Sequence, residues 1–158
     1  MSIVRKCKIE NRYGFHIRPT QRFSQLAKAF DCEVEVTIRG KAAPGKSIFH
    51  LMGLKGKCGL PMEIETSGWD ERQAANCLAY LVKNHFFVED ELGEKLPNTR
   101  HYDRLATFSG FFDSEITAIF GGRSADAKDR KAVEELGFMP WEKVEFEIKG
   151  DDKKQART

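Results

Sequence analysis

Hydrophobic and polar residues alternate in several short segments of the first half of the chain, a pattern typical of half-buried β-strands. The clearest alternation runs from Cys32 to Ile38, where apolar side chains fall on one face and charged or hydroxyl side chains on the other. Similar alternation covers Ile3–Ile9 and Leu60–Thr66, and a short edge segment follows Gly40. These segments predict a sheet with one buried face and one solvent-exposed face.

Three other segments have the apolar spacing of amphipathic helices. The first follows Pro19, since proline is tolerated in a first helical turn; Ser47 can cap the second, short helix, and Asp70 can cap the third. Their apolar positions are, in order, Phe23, Leu26, Ala27 and Phe30; Ile48, Leu51 and Met52; and Ala74, Ala75, Leu78, Leu81, Val82 and Phe86. Helices over one face of a four-stranded antiparallel sheet make an α+β open-faced β-sandwich, which we predict for residues 1–88.

The remaining residues predict a linker, a small C-terminal α/β extension and a disordered tail. The linker, 89–100, is polar and contains a proline, and the tail, 151–158, is charged. The patterns within 101–150 are, in order, a helix near Tyr102–Phe108, a strand at Glu115–Phe120, a turn at Gly121–Gly122, a capped helix at Ser124–Leu136 ended by Gly137, and a strand at Val144–Ile148. Val133–Gly150 loosely echoes Phe23–Gly40, but any helix–strand pair would, so the sequence does not favour a duplicated half-domain.

The composition excludes several classes of protein. The 158 residues include 26 Lys and Arg against 24 Asp and Glu, and 41 % are hydrophobic. No apolar run reaches the roughly 20 residues that a membrane-spanning helix needs, and the N-terminus has no signal-peptide pattern. The cysteines Cys7, Cys32, Cys58 and Cys77 form neither a Cys-x-x-Cys pair nor a cluster with zinc spacing. We therefore expect a cytoplasmic protein without disulfides, a metal site or membrane insertion.

Positive charge concentrates near the N-terminus. The first 31 residues contain seven Lys and Arg against two acidic residues. A local basic bias attracts phosphate groups and acidic partners. The bias is too modest, and too poor in interleaved aromatic residues, to indicate a nucleic-acid interface.

The segment Gly14–Thr20 places His16 directly before the helix that proline starts. The first N–H groups of a helix have no acceptor within it, and together with the helix dipole they favour an anion. The same field disfavours a positively charged imidazole, which favours the neutral, nucleophilic ring. Arg18 adds a guanidinium suited to phosphate oxygens. Phosphoryl transfer to a histidine nitrogen needs these parts, although a histidine before a helix is by itself more often a cap or a surface residue.

A second segment, Gly45–Gly53, places Ser47 at the start of a short helix, where its hydroxyl is expected to cap the first turn. When the inner side of this helix is buried in the core, Phe49 and Met52 are expected to remain exposed on its outer side. Exposed apolar side chains near His16 would form a surface on which a partner docks.

Together, Gly-Phe-His-Ile-Arg-Pro-Thr at 14–20 and Gly-Lys-Ser-Ile-Phe-His-Leu-Met-Gly-Leu at 45–54, in this order of strands and helices, resemble the HPr family. These are small histidine phosphocarriers of the bacterial phosphoenolpyruvate-dependent sugar phosphotransferase system. The resemblance covers roughly residues 1–88. It implies a phosphoryl carrier rather than an enzyme, in which Nδ1 of His16 accepts a phosphoryl group from phospho-enzyme I and passes it to sugar-specific EIIA proteins. Arg18 would stabilise that group, and Ser47 aligns with the serine that HPr kinase/phosphorylase modifies in many bacteria.

The resemblance also implies a docking surface and no cofactor. The residues that it assigns to docking are Phe15, Thr20, Lys28, Ile48, Phe49 and Met52. A phosphate on Ser47 would suit the start of its own helix, so the fold should persist. Its charge within an apolar docking surface would repel an acidic partner.

Two other functions are compatible with the same sequence. In the first, the protein is an HPr-like regulator that acts through Ser47 phosphorylation and docking rather than sugar transport. In the second, residues 1–88 are only an interaction module and the extension is the functional half. Loss of transfer to every EIIA with kinase recognition intact would favour the first, and partner binding mapped to residues 100–150 would favour the second.

Overall fold

The computed structural model describes residues 2–87, 100–138 and 142–150. Contacts along the chain separate it into two units, Met1–Lys95 and Leu96–Thr158. The division falls inside the segment predicted as a linker, 89–100, of which only residue 100 is described. The predicted tail, 151–158, lies outside the described residues.

The first unit follows the order of elements that the hydrophobic pattern predicts. Its strands are β1 (Ser2–Lys8), β2 (Glu33–Ile38), β3 (Lys41–Pro44) and β4 (Pro61–Ser67), and its helices are α1 (Ile17–Lys28), α2 (Ile48–Gly53) and α3 (Glu71–Lys83). The strands pair in the order β1-β4-β2-β3, and every pair is antiparallel. The α+β open-faced sandwich is confirmed, with β3 at an edge of the sheet.

One face of this sheet forms the core with the inner sides of the helices. Along β2, Val34, Val36 and Ile38 are buried whereas Glu33 and Glu35 are exposed, as the alternation predicts. The largest fully buried side chains of the unit are Phe23, Phe86, Ile9, Ile38, Leu51, Met62, Ile64, Leu78, Val36 and Val82. Burying each leucine, isoleucine or phenylalanine stabilises the fold by about 1.5–3 kcal/mol, so the periodic apolar positions hold the helices on the sheet.

Asp70 does not cap α3 with its side chain, in contrast to the sequence prediction. It occupies the N-cap position, but its carboxylate accepts hydrogen bonds from the backbone N–H groups of Asp31 and Cys32, each at 2.9 Å. Asp70 is fully buried, and a buried carboxylate needs such donors. The side chain therefore ties the start of α3 to the turn before β2.

The described part of the second unit contains a three-stranded sheet and two helices. The helices are α4 (Arg100–Gly110) and α5 (Arg130–Leu136), and the strands are β5 (Glu115–Phe120), β6 (Arg123–Asp126) and β7 (Glu145–Lys149). The strands pair antiparallel in the order β6-β5-β7. The small C-terminal α/β extension is therefore confirmed.

The helix predicted at Ser124–Leu136 is wrong over its first part. Gly121 and Gly122 have φ angles of +60° and +76°, which suit a tight hairpin turn, and the chain returns as β6 beside β5. Asp129 instead caps α5 by accepting hydrogen bonds from two backbone N–H groups of its first turn. The glycine pair thus overrides the helical spacing of the residues that follow it.

The second unit repeats the order of elements from α1 to β4. The series α1-β2-β3-α2-β4 corresponds to α4-β5-β6-α5-β7, and the sheet order β4-β2-β3 corresponds to β7-β5-β6. The register of the two sheets is also the same. Adding 82 to both residue numbers of a pair in the first sheet gives each pair of the second, as when Glu35 opposite Glu65 corresponds to Thr117 opposite Glu147. The expectation that no half-domain is duplicated is therefore wrong. The two units share strand register far more than residue identity.

Candidate functional site

His16 lies at the N-cap of α1, with an extended backbone at φ −91° and ψ −166°. The helix begins at Ile17, two residues earlier than the predicted start at Pro19. Because proline has no N–H, the backbone N–H groups that point out of this end of the helix are those of Ile17 and Arg18. His16 therefore lies at the positive end of a 12-residue helix, at the residue that precedes these donors.

Close backbone contacts fix the loop before His16. Gly14 has a φ of +70°, and a Cβ at this position would lie 2.5 Å from the carbonyl oxygen of Gly56, so only glycine permits the approach. The N–H of Phe15 donates to the same oxygen at 2.9 Å, and the side-chain amide of Asn11 donates to the carbonyl of Gly14. The backbone leading to His16 is therefore held against the segment that follows α2.

Phe15 is a core residue, which corrects the docking role that the resemblance implied for it. Its side chain is only 3 % exposed. The ring stacks on Phe86, with centroids 5.3 Å apart, and meets the edge of Phe23 at 5.9 Å. A partner cannot touch a ring packed in this way, so Phe15 supports the backbone of the site from below.

Thr20 is also buried, and its predicted docking role is corrected for the same reason. The hydroxyl lies 2.8 Å from the carbonyl oxygen of His16 and 2.9 Å from that of Ile17. Hydroxyl groups in helices often bond to a carbonyl of the preceding turn in this way. Thr20 therefore holds the first turn of α1 and the backbone of His16.

Tyr13 contacts the imidazole of His16, and two arginines lie within a few residues of it in the sequence. The ring of Tyr13 meets the imidazole edge-on, with centroids 6.3 Å apart, and the guanidinium of Arg12 lies 5.3 Å from the centre of the Tyr13 ring. Arg18 is exposed in the first turn of α1. Two arginines in this short stretch favour a bound phosphate. Sequence reasoning missed Tyr13, because a turn explains Asn11–Gly14 without it.

Ser47 is the N-cap of α2, as the sequence predicts, and it also contacts His50. Its Oγ accepts a hydrogen bond from the backbone N–H of His50 at 3.5 Å and lies 2.6 Å from Nδ1 of that ring. The hydroxyl of Ser24, in α1, donates to the carbonyl of Lys46 at 2.9 Å. The turn that carries Ser47 is therefore held beside the helix that begins after His16.

Exposed apolar side chains lie on the outer sides of α1 and α2. Phe49 is 86 % exposed, Ile17 59 % and Met52 39 %, and Ile48 is half-buried. We call these four residues the apolar patch. Lys28, in the last turn of α1, is exposed as well. Sequence reasoning did not include Ile17 in the patch, although an apolar residue between polar neighbours at a helix start is a recognisable signal.

Histidine is better suited than the buried cysteines to act as a nucleophile in the first unit. Burial, together with the hydrogen bond to Asp70, raises the pKa of Cys32 to about 12, and burial raises the pKa of Cys77. A thiol that stays protonated at neutral pH is a poor nucleophile. Within residues 2–87, 100–138 and 142–150, no group of three His, Cys, Asp or Glu could hold a metal ion, and no helix has the length and apolar character to cross a membrane.

Comparison with known proteins adds to this geometry. A family model described as the PTS HPr component phosphorylation site matches residues 3–84. The phosphocarrier protein HPr of Neisseria meningitidis is 39 % identical over 79 residues, which cover 50 % of this chain and 89 % of that protein. HPr of Haemophilus influenzae is 42 % identical over 69 residues, covering 44 % and 81 %. The crystal structure of HPr-C-His from Thermoanaerobacter tengcongensis is 30 % identical, with a TM-score of 0.52, over 60 % of this chain and 99 % of that one.

Proposed function

The chain belongs to the HPr family of phosphotransferase-system phosphocarriers, and from this membership we propose that His16 carries the phosphoryl group. The observation that carries the proposal is the N-cap position of His16 on α1. At that position the N–H groups of Ile17 and Arg18 and the positive end of the helix dipole favour an anion. The loop before His16 and the hydroxyl of Thr20 hold its backbone in place.

The proposed reaction is two transfers of one phosphoryl group. In the first, the lone pair on Nδ1 of His16 forms a P–N bond while the bond between phosphorus and its carrier atom on phospho-enzyme I breaks, and the electrons of that bond stay with enzyme I. In the second, the P–N bond breaks and phosphorus passes to an acceptor atom of a sugar-specific EIIA protein. Nothing is oxidised or reduced. The guanidinium of Arg18 and the first-turn N–H groups are suited to the negative charge of the phosphoryl oxygens.

The apolar patch is the surface on which we propose that enzyme I and the EIIA proteins dock. It lies on the two helices that begin after His16 and Ser47. Aromatic and methionine side chains contribute much of the contact at protein interfaces, and both are present as Phe49 and Met52. Lys28 would lie at the rim and meet acidic groups of the partner.

Regulation by phosphorylation of Ser47, catalysed by HPr kinase/phosphorylase, belongs to the same proposal. The added charge, about −1.5 to −2, would lie at the start of α2, where backbone N–H groups accommodate it. It would also lie next to Ile48 and Phe49 in the apolar patch. We therefore expect phosphorylation to weaken docking while leaving the fold intact. Replacing Ser47 with aspartate should slow transfer to EIIA, whereas Ser47→Ala should not.

To test the proposed function, the protein is incubated with phosphoenolpyruvate and enzyme I, and the phosphate bound to it is measured. A phosphohistidine is recognised because its phosphate is labile in acid and stable in base. His16→Ala is expected to lose the label completely, and His101→Ala, in the second unit, is the matched control that keeps it. Arg18→Ala should slow the transfer without moving the thermal unfolding midpoint, because this side chain is exposed. Labelling of His16→Ala at the rate of the unchanged protein would contradict the proposal.

A further inference from the structure

The correspondence between the two units extends to the hydrogen bonds that join their elements. The ammonium of Lys46 donates to the carbonyl of Phe30 at 2.7 Å, and that of Lys128 donates to the carbonyl of Phe112 at 2.6 Å. The two donors lie 82 residues apart in the sequence, and so do the two acceptors. Three backbone hydrogen bonds of the first unit also have a counterpart whose donor and acceptor both lie 82 residues later. The matched N–H donors are Gly45 and Ala127, Ser47 and Asp129, and Leu51 and Val133.

Two glycines with positive φ angles and close backbone neighbours also occupy matching positions in the two units. Gly68 follows β4 with a φ of +150°, and Gly150 follows β7 with a φ of +145°. A Cβ on either would collide with the residue before the central strand, at 2.7 Å from Cys32 or 2.6 Å from Ser114. Because such close approaches are rare, their repetition indicates that the second unit is the same scaffold from α1 to the end of β4.

The second unit does not repeat the candidate site. Asp129 takes the position of Ser47, and Lys131 takes that of Phe49. In the sequence, the position that matches His16 is occupied by an asparagine, residue 98. The scaffold is therefore present without the acceptor histidine, the serine or the aromatic group.

Among the described residues, β7 lies at an edge of the second unit's sheet. In the first unit, β1 pairs with β4 along its whole length. In the described residues of the second unit, β5 is the one strand that pairs with β7. The consequence is visible at Phe146, which is 45 % exposed, whereas Ile64 at the same place in β4 is fully buried. An unpaired strand edge with an exposed aromatic side chain is a template for another strand.

We propose that β7 pairs antiparallel with β7 of a second copy of this chain, about a two-fold axis through Glu147. In this register Phe146 lies opposite Ile148 of the second copy, and Glu145 lies opposite Lys149 of the second copy. The strand is thus complementary to itself in both apolar contact and charge, which favours a second copy over another partner. The two sheets would join into one of six strands.

The central pair of this register brings two Glu147 side chains together, and Lys149 offsets their repulsion. Its ammonium already lies 3.2 Å from the carboxylate of Glu147 on the same strand. Both side chains are well exposed, so the attraction is modest. A pairing of five residues on each side also buries less surface than a standard interface. We therefore expect a dimer that forms with rising concentration and weakens as salt is added.

Sedimentation velocity of the full chain over a series of concentrations tests the proposal. Glu145→Lys alone places lysines opposite each other at both ends of the paired strands, and Lys149→Glu alone places glutamates there, so each variant should sediment as a monomer. An equimolar mixture of the two restores a lysine opposite a glutamate at both ends and should dimerise again. Glu10→Lys, the same charge change in an exposed position after β1, is the control and should dimerise like the unchanged protein.

A second variant keeps the test independent of folding. Lys149 also faces Glu115 within its own sheet, so the fold of Lys149→Glu is checked by near-UV circular dichroism before mixing. Phe146→Lys changes a side chain that is 45 % exposed and should abolish the dimer, and its fold is checked by the same circular dichroism measurement. A protein that stays monomeric throughout the concentration series would overturn the proposal. So would a dimer that persists in both Glu145→Lys and Phe146→Lys, or a mixture of two folded variants that remains monomeric.

Discussion

The two units of this chain have the same scaffold and differ in what lies at the starts of their matched helices. In the first, His16 precedes α1 and Ser47 caps α2, with Phe49 exposed in the next turn. In the second, the cap of α5 is Asp129, and Lys131 follows it. The fold is therefore specified by strand register and buried positions, whereas the carrier chemistry that we propose depends on a few residues at two helix starts.

The units also differ in how completely the shared scaffold is built. The first has β1 and α3 on its sheet, and Ile64 of β4 is fully buried. In the described residues of the second, β7 has one neighbouring strand and Phe146 is exposed. A smaller core gives less stability, so a substitution of the same cost should unfold a larger fraction of the second unit.

The largest effects should come from a leucine that occupies the same core position in both units. Leu54 is 7 % exposed and Leu136 is 4 % exposed. Truncation to alanine is expected to reduce the free energy of unfolding by about 2–5 kcal/mol at either place. Hydrogen exchange measured by mass spectrometry should show the greatest loss of protection in β2 for Leu54→Ala and in β5 for Leu136→Ala. Unchanged protection of β5 in Leu136→Ala would show that the units pack differently.

The matched glycines should give the next largest effect. Gly68→Ala and Gly150→Ala each force a side chain into positive φ and against a neighbouring residue. We expect each to cost about 1–3 kcal/mol, measured by urea unfolding. Gly53→Ala is the control, because nothing lies within 4 Å of a Cβ at that position. A cost at Gly68 without one at Gly150 would break the comparison.

The matched lysines should have a smaller effect. Lys46→Met and Lys128→Met each remove one hydrogen bond to a carbonyl and keep most of the side-chain volume. A net loss of about 1 kcal/mol is expected for either substitution in urea unfolding. Similar losses would sharpen the correspondence, and a loss at Lys46 alone would show that the second bond contributes nothing.

The effect that is smallest at neutral pH separates Cys32 from its counterpart Ser114. Burial and the contact with Asp70 raise the pKa of Cys32 from 9.0 to about 12. The unfolded chain therefore releases this proton at lower pH than the folded one, so stability is full below about pH 9 and falls as pH rises towards 12. Cys32→Ser should lessen this fall, because a serine does not titrate there. An equal alkaline loss in both proteins, measured by urea unfolding, would rule the thiol out as its cause.

The sequence predicts the first unit well because its sheet has one buried face. Strict alternation in β2 and the apolar stripe of α1 leave few other structures possible. The errors concern contacts between residues distant along the chain. Asp70 bonds to the turn before β2, and Phe15 packs on Phe86, so neither role could be inferred from local pattern.

The second unit was harder to predict because turn geometry and register decide it. Helical spacing after Ser124 outweighed the glycine pair before it, and the hairpin was missed. The repeat was missed as well, since most matched positions differ in identity. A comparison of the sequence with itself at an offset of 82 would have found Lys46 with Lys128 and Gly68 with Gly150.

Of the candidate site, the sequence placed His16, Arg18 and Ser47 at the helix starts where the structure has them, and it left Phe49 and Met52 exposed as observed. It could not separate surface residues from core residues within the same segment, as Thr20 shows. Burial near a loop depends on which other segments pack over it.

The central claim is that one unit of the scaffold carries the phosphoryl group and the other does not. The most direct test is to phosphorylate the full chain with phosphoenolpyruvate and enzyme I, digest it at alkaline pH and locate the phosphate by mass spectrometry. We predict one phosphate per chain, on His16, and none on any peptide of the second unit. A phosphate on a peptide from residues 96–158, or an unlabelled His16 in a folded protein, would contradict the account.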